Sequence, residues 1–310
     1  MSCLIRDGKL YPRTLEYSAA YHCNLACDQC SHLSPYTATQ FPKPESLRAD
    51  LARLAPVMHT PEFRLLGGEP LLNPAIAELA QIVRESGISD TIAVTTNGVL
   101  LHRMDQTLWE YIDRLQVTIY PEAAPNENTL ANIAARAEET DTELCIIRRP
   151  TFRAMALTQP QPDDLIARMV FRGCQNAHIK QCHMLSEGHL FLCALPLGLG
   201  SFLGRLSEHS YSPAGDGFDL YGSGDLLSEL HAYLNPPTPM ECCRYCLGDA
   251  GVRSEHRQLT RAELADPSLL RVTRATHLSG AMLARLLAVR SYNDLRRAVG
   301  MPPSWLQSRN

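Results

Sequence analysis

Apolar and polar positions alternate at Leu15, Tyr17, Ala19 and Tyr21, which predicts a strand within residues 11–22. A polar, proline-bearing stretch at 31–44 then reads as loop. Over 45–57 the apolar residues Leu47, Leu51 and Leu54 fall at helical spacing. The short run Phe63-Arg64-Leu65-Leu66 predicts a strand that ends in Gly67-Gly68-Glu69-Pro70. In the helix that follows, Asn73 can cap, Pro74 suits the first turn, Ile76, Leu79, Ala80 and Val83 share one face, and Gly87 ends it. The rhythm repeats, with strands expected at 91–95, 115–120 and 143–147 and helices at 105–113 (Leu108 and Ile112 inward) and 128–139. Strand–helix units in series imply a parallel sheet covered by helices.

Past Arg149 the pattern breaks. Residues 150–162 hold three prolines and read as a connector. Residues 174–250 are rich in cysteine, glycine and proline, with helical spacing only at 225–234. So core-poor a region is expected to need a staple such as a metal centre. Helix returns over 261–300, where Met282, Leu283, Leu286 and Leu287 are apolar and Gly300 is the expected stop.

At 310 residues the chain can bury a large core, and 45% hydrophobic with 20% charged residues is ordinary for a globular protein. A net charge of −4 creates no field that would draw it to nucleic acid or a membrane surface. Residues 251–310 carry ten Arg against four acidic residues, read here as the solvated face of terminal helices rather than a phosphate site. Neither a secretory signal nor a bilayer-spanning run is visible, so a cytoplasmic protein is expected. In that reducing compartment eleven cysteines point to metal or redox chemistry rather than disulfides. Nine of them fall in two regions, 23–30 and 174–246.

The first region is Cys23, Cys27 and Cys30, spaced C-x3-C-x2-C just after a predicted strand. Three thiolates are one short of a closed zinc site or a fully ligated iron–sulfur cluster, which suits a cluster with one open iron. A zinc knuckle or three buried thiols are the plainer readings of that triplet. Gly67-Gly68-Glu69-Pro70 and Thr95-Thr96-Asn97-Gly98 each end a predicted strand, where parallel sheets gather ligands. Each is also an ordinary turn sequence. Tyr120 and Arg148 close the next two strands, and Ser31-His32-Leu33-Ser34-Pro35 follows Cys30 directly. In the second region Cys182, Cys193, Cys243 and Cys246 make C-x10-C and C-x2-C, enough for one four-iron cluster or one zinc. Cys174 competes with Cys182, and Cys242 with Cys243.

Taken together, the x3/x2 cysteine loop, the Gly-Gly-Glu segment and the Thr-Thr-Asn-Gly segment resemble the radical S-adenosylmethionine (radical SAM) superfamily. The resemblance implies an α/β fold: a partial (βα)6 TIM-like barrel over 1–160, a small cysteine-rich auxiliary-cluster domain over 161–250 and an Arg-rich helical extension over 251–310. It implies a 4Fe-4S cluster on Cys23, Cys27 and Cys30 whose open iron chelates S-adenosyl-L-methionine (SAM). Gly67 and Gly68 would approach the SAM amino group, Glu69 would accept from a cationic group, and Thr95, Thr96 and Asn97 would lie beside SAM. The second region resembles the SPASM or shorter twitch module, with Gly188 to Cys193 as its G-x4-C hairpin. That implies a second 4Fe-4S cluster on Cys182, Cys193, Cys243 and Cys246, with Cys174, at C-x13-G, as the alternate ligand by spacing.

The reaction implied is reductive cleavage of SAM to a 5′-deoxyadenosyl radical, with the electron supplied by a flavodoxin or ferredoxin, and hydrogen abstraction from a small molecule. The Ser31–Pro35 segment resembles members found beside sugar-derived natural-product (antibiotic) pathways, so a sugar, cyclitol or nucleoside is the expected substrate. Dehydrogenation would need a base for the hydroxyl proton, with His22, His32 or Arg148 as assisting neighbours. Epimerisation would use Cys145 or Cys242 as hydrogen-atom donor. Sulfur insertion from the auxiliary cluster is an alternative outcome. A peptide maturase is expected to need a recognition domain before the cysteine loop. A non-catalytic electron carrier has no use for the two strand-end motifs.

Overall fold

An eight-stranded sheet organises the chain, in the order β8-β7-β6-β1-β2-β3-β4-β5. Its strands are β1 (Thr14–Ala20), β2 (Thr60–Gly67), β3 (Ser89–Thr96), β4 (Arg114–Ile119), β5 (Glu143–Arg148), β6 (Cys182–Ser186), β7 (His189–Phe191) and β8 (Phe218–Asp219). This is seen in a computed structural model that describes residues 3–206, 210–222, 224–299 and 301. Strands β6, β1, β2, β3, β4 and β5 run parallel, while β7 and β8 add on antiparallel.

Alternation along each strand separates two faces. Leu15, Tyr17, Phe63, Leu65, Ile92, Val94, Leu115 and Val117 are buried in the main core. That core is completed by α1 (Pro44–Leu54), α2 (Ile76–Ser86) and α3 (Glu127–Glu139) through Leu47, Leu51, Ile76, Leu79, Val83, Ile133 and Ala137. The opposite face is polar and partly charged. Arg64 pairs with Glu16 (3.4 Å) and Glu62, and Arg114 pairs with Glu62 and Glu143 (2.7 Å). Ala93 of β3 is in register with both arginines, so only a methyl group stands between the strands that carry Arg114 and Glu62. This charged ladder occupies the deep part of the polar face, and the strand C-termini above it are left for a site.

The parallel sheet with outer helices is the α/β, partial-barrel architecture expected. Strands β1 to β5 follow in sequence order, but the sixth parallel strand joins the opposite edge: Thr14–Tyr17 of β1 lie in register with Cys182–Leu185. The boundary expected at residue 161 therefore does not divide the sheet, and the hairpin assigned to the cysteine-rich domain is part of it.

That region is not poor in core either. Helix α5 (Leu195–Leu203) buries Leu195, Leu199, Phe202 and Leu203 against Leu33, Tyr36 and Tyr245. It is apolar all round, so it offered no amphipathic period to read. The helix expected at 105–113 is a 3₁₀ turn, Gln106–Glu110, capped by Asp105 and burying Leu108 and Trp109. Tighter winding turns adjacent residues inward before the chain enters β4. Helices α4 (Asp164–Arg172) and α6 (Leu226–Tyr233) precede the last long one, α7 (Gly280–Ala298), which packs Leu283 on Val170 of α4. Gly300, its expected stop, lies outside the described residues. In the Arg-rich segment Arg253, Arg261, Arg271 and Arg285 are exposed, as a solvated face requires. No helix among the described residues is long and apolar enough to cross a membrane.

Candidate active site

The cysteine loop leaves β1 and is held at once by the end of β2. Gly68 donates its N–H to Ala20 O (2.8 Å), and Glu69 donates to His22 O (3.1 Å). The two backbones come so close that a Cβ on Gly68 would lie 1.9 Å from His22 O, and one on Gly67 (φ +124°) 2.3 Å from Ala20 O. Before any cofactor is considered, chain packing alone demands this glycine pair.

Glu69 is buried, and both its oxygens are taken: Oε1 accepts from Thr96 Oγ1 (2.6 Å) and Leu71 N (3.0 Å), Oε2 from Asn97 N (2.8 Å). Burial pushes its pKa up to about 7 against these three donors. It ties the end of β2 to the end of β3 and does not line the cavity below, so the expected acceptor for an external cation is already occupied by the chain.

A cavity of about 210 Å³ opens over the strand ends. Cys23, Cys27 and Cys30 form one wall, and Gly67, Gly68, Thr95, Thr96 and Asn97 another. Thr118 of β4 and Tyr120 just beyond its end, with Phe152, close the third side. The wall residues come from the C-terminal ends of consecutive parallel strands, where this kind of sheet leaves room. Thr95 Oγ1 is buried there without a partner among the described residues. Asn97 Nδ2 donates to Asn24 Oδ1 (2.7 Å) and reaches Cys23 Sγ (3.6 Å).

Burial pushes the Cys23 and Cys27 thiols up to about 12, and the charge of Cys30 adds to the rise of both. Such thiols ionise only if a cationic centre compensates them, so the donor set fits an iron–sulfur cluster. Among the described residues no three His, Cys, Asp or Glu side chains converge on a point that would hold a single metal ion. A cluster accepts such spacing because each thiolate binds a different iron, whereas zinc needs its sulfurs within about 2.3 Å of one centre.

His32 lies on the cavity wall, and its Nδ1–H donates to Gly67 O (3.1 Å), leaving the Nε2 lone pair free. Gly198 of α5 permits this placement, since a Cβ there would meet His32 O at 2.4 Å. The other expected catalytic residues are not in the cavity. Arg148 pairs with Ile119 and so shares the core-side face rather than that of Thr118 and Tyr120; it is exposed. Cys145 is on the correct face but in register with Gln116, one layer below Thr118. Cys242 is buried against the second group of thiols. His22 packs its ring on Phe41 (5.0 Å) and does not line the cavity.

Sequence reasoning missed Phe152, which sits in what read as a connector, and His256. Buried His256 stacks on Tyr120 (4.9 Å, 15°) and meets Cys27 Sγ with Nε2 (3.2 Å). Nothing local marks either residue, because each is separated from its partners by a long stretch of chain.

In the second region Cys174 feels the charges of Cys193 and Cys243, and Cys246 those of Cys243, Cys174 and Cys193. Gly248 N donates to Cys246 Sγ (3.1 Å), and the Cys242 thiol donates to Cys193, lowering the latter's pKa. Cys182 stands apart from them. At the start of β6, its thiol donates to Glu16, with Arg64 and Lys180 nearby. Cys174, rather than Cys182, is thus the thiol near Cys193, Cys243 and Cys246, and Cys242 also bonds Cys193 and Cys243. The reason is the hairpin's inclusion in the sheet, which commits Cys182 to the polar face beside β1.

The profile of the Radical SAM superfamily matches residues 17–142. The GTP 3',8-cyclase of Chlorobaculum tepidum is 38% identical over 103 residues, 32% of this chain and 31% of that protein. The GTP 3',8-cyclase of Microcystis aeruginosa is 31% identical over 100 residues, 31% and 30% of the two chains. The chain therefore spans about a third of the length of these curated relatives. Among solved structures, BtrN in complex with AdoMet and 2-DOIA aligns over 76% of this chain and 93% of that one, at 13% identity and a TM-score of 0.46. With its three-cysteine loop, paired glycines and Thr-Thr-Asn strand end around one cavity, the chain carries a radical SAM superfamily domain over residues 17–142.

Proposed function

We propose that this protein is a radical SAM enzyme that dehydrogenates a small polyhydroxylated substrate, a sugar, cyclitol or nucleoside. The observation that carries the reading is the shared cavity. Three thiols, two glycines and a Thr-Thr-Asn segment from separate strands face one space. When bound, SAM on a 4Fe-4S cluster held by Cys23, Cys27 and Cys30 supplies a 5′-deoxyadenosyl radical able to take a hydrogen atom from an unactivated carbon. Thr95, with its unpartnered hydroxyl, Thr96 and Asn97 flank that space and provide polar groups for SAM. Ser31, His32 and Ser34 supply polar contacts for substrate hydroxyls. Tyr120 and Phe152 exclude water from one side.

Dehydrogenation removes a hydrogen atom, a proton and an electron. His32 would take the proton: burial keeps its imidazole neutral, with a pKa of about 4, and Nε2 has no partner among the described residues. The electron would pass to a second cluster held by Cys174, Cys193, Cys243 and Cys246 in a twitch-like module. Epimerisation is less well supported, because neither Cys145 nor Cys242 lines the cavity. Nucleosides deserve testing first, since the curated relatives named above are GTP 3',8-cyclases, although the overlap covers only a third of each. An external flavodoxin or ferredoxin would supply the reducing electron.

The test is incubation of reduced, reconstituted protein with SAM and candidate nucleosides and sugars. Substrate-dependent 5′-deoxyadenosine with a ketone product two hydrogens lighter is expected. An electron carrier would produce no 5′-deoxyadenosine in any of these mixtures. The cluster assignment predicts about eight irons per chain. Cys174→Ala and Cys193→Ala are expected to lose about half. Cys182→Ala should keep its full complement, and loss of iron there would restore the original ligand set.

A further inference from the structure

The segment after residue 250 reaches back across the whole domain and lies along the cysteine loop. Asp28 N donates to Arg257 O (2.9 Å) and Leu259 N to Ala26 O (2.7 Å), an antiparallel bridge that pairs Cys27 with Gln258. Side chains reinforce it. Gln258 Oε1 accepts from Ala26 N (2.6 Å), and Arg257 pairs with Asp28 (2.9 Å) and Glu263 (2.9 Å). The segment's other side is fixed by the pairing of Arg253–Glu255 with Thr151–Arg153 and by His256 N donating to Pro150 O (2.9 Å).

Two side-chain nitrogens of this segment meet one sulfur. His256 Nε2 lies 3.2 Å from Cys27 Sγ and Gln258 Nε2 3.8 Å from it. The ring is set by stacking on Tyr120 (4.9 Å) and contact with Phe152 (5.2 Å). Among the described residues its Nδ1 is buried without a partner. A buried N–H with no acceptor costs more than a lone pair with no donor, so the proton belongs on Nε2, aimed at sulfur. A thiolate bound to iron can only accept, which this tautomer satisfies.

We infer that residues 255–259 clamp the cysteine loop, and that His256 is a positioning residue whose Nε2–H bonds Cys27 Sγ and so poises the iron held there. Hydrogen bonds to cluster sulfurs stabilise the more negative, reduced state and raise its potential. The effect on potential rests on the cluster reading above; the clamp does not.

The decisive variant is His256→Phe, which keeps an aromatic ring against Tyr120 and Phe152 but deletes the donor. In reconstituted full-length protein, the midpoint potential of the cluster whose EPR signal changes on adding SAM is expected to become more negative, with iron content unchanged. His256→Gln, which retains an N–H, should recover part of the shift. An unchanged midpoint at full iron content in His256→Phe overturns the role of His256. A wild-type protein with no SAM-sensitive signal sinks the cluster reading instead. The clamp is then read in cluster-free, full-length Gln258→Ala. There, deuterium exchange in the peptide covering residues 23–30 is expected to quicken about fivefold, the loss of one hydrogen bond. Exchange at the wild-type rate overturns the clamp.

Discussion

Replacing Gly68 with alanine is expected to cost about 3 kcal/mol of stability and to lose the first cluster with it. The added methyl would sit 1.9 Å from His22 O and 2.9 Å from Cys23 N, both backbone atoms with no rotamer to relieve them. Either β2 or the cysteine loop must move, and the loop is the softer partner. The hydrogen bonds from Gly68 N to Ala20 O and from Glu69 N to His22 O would lengthen together. Urea denaturation should show the lower midpoint, and iron in the reconstituted variant should fall to about four per chain if the second centre is untouched. Gly280→Ala is the control: nothing lies within 4 Å of that Cβ, and its φ is outside the left-handed range. Wild-type iron in Gly68→Ala would mean that the loop takes up its cluster in some other conformation.

The second large effect is acid sensitivity. His183 is fully buried, Nδ1–H donates to Leu192 O (3.3 Å), and burial holds its pKa down to about 4, below the ordinary 6.5. A base whose folded pKa is depressed is neutral in the fold and protonated in the unfolded chain. Its favourable contribution is complete above pH 6.5 and is lost as pH falls toward 4. Each such group makes unfolding take up one proton, about 1.4 kcal/mol per pH unit across that window. His178, held down to about 3, behaves the same way. Glu69 has the opposite sign: with its pKa raised to about 7, its contribution is present below 4.5 and lost as pH rises through 7. Denaturation of wild type and His183→Gln should be compared between pH 7 and 4. The variant is expected to gain about 3 kcal/mol relative to wild type over that range. Parallel pH profiles would show that His183 titrates normally in the folded protein.

How far the site could be read in advance differs residue by residue. Cys23, Cys27 and Cys30 were legible from spacing, and Gly67, Gly68, Thr95, Thr96 and Asn97 from their position at strand ends. His32 was legible as a neighbour of the third cysteine. Arg148 and Cys145 were misjudged because a strand end or a strand position does not reveal which face a side chain takes. One residue of register decides that, and register comes from pairing. Cys182 misled for a related reason: it lies just before the Gly188 hairpin, though Cys174 fits the module's spacing better, and its strand pairs with β1 and carries it to Glu16.

What local order records, the chain alone made plain: the strand–helix alternation, the three-thiol loop, and two strand-end motifs. Period, capping residues and short spacings act within a few residues of each other, so they survive in a string of letters. Only the folded molecule decided that the sixth parallel strand lies beside β1, that Cys174 joins Cys193, Cys243 and Cys246, and that His256 meets Cys27. Those contacts close chain segments tens to hundreds of residues long, and their energy comes from burial and pairing that no short window of sequence contains.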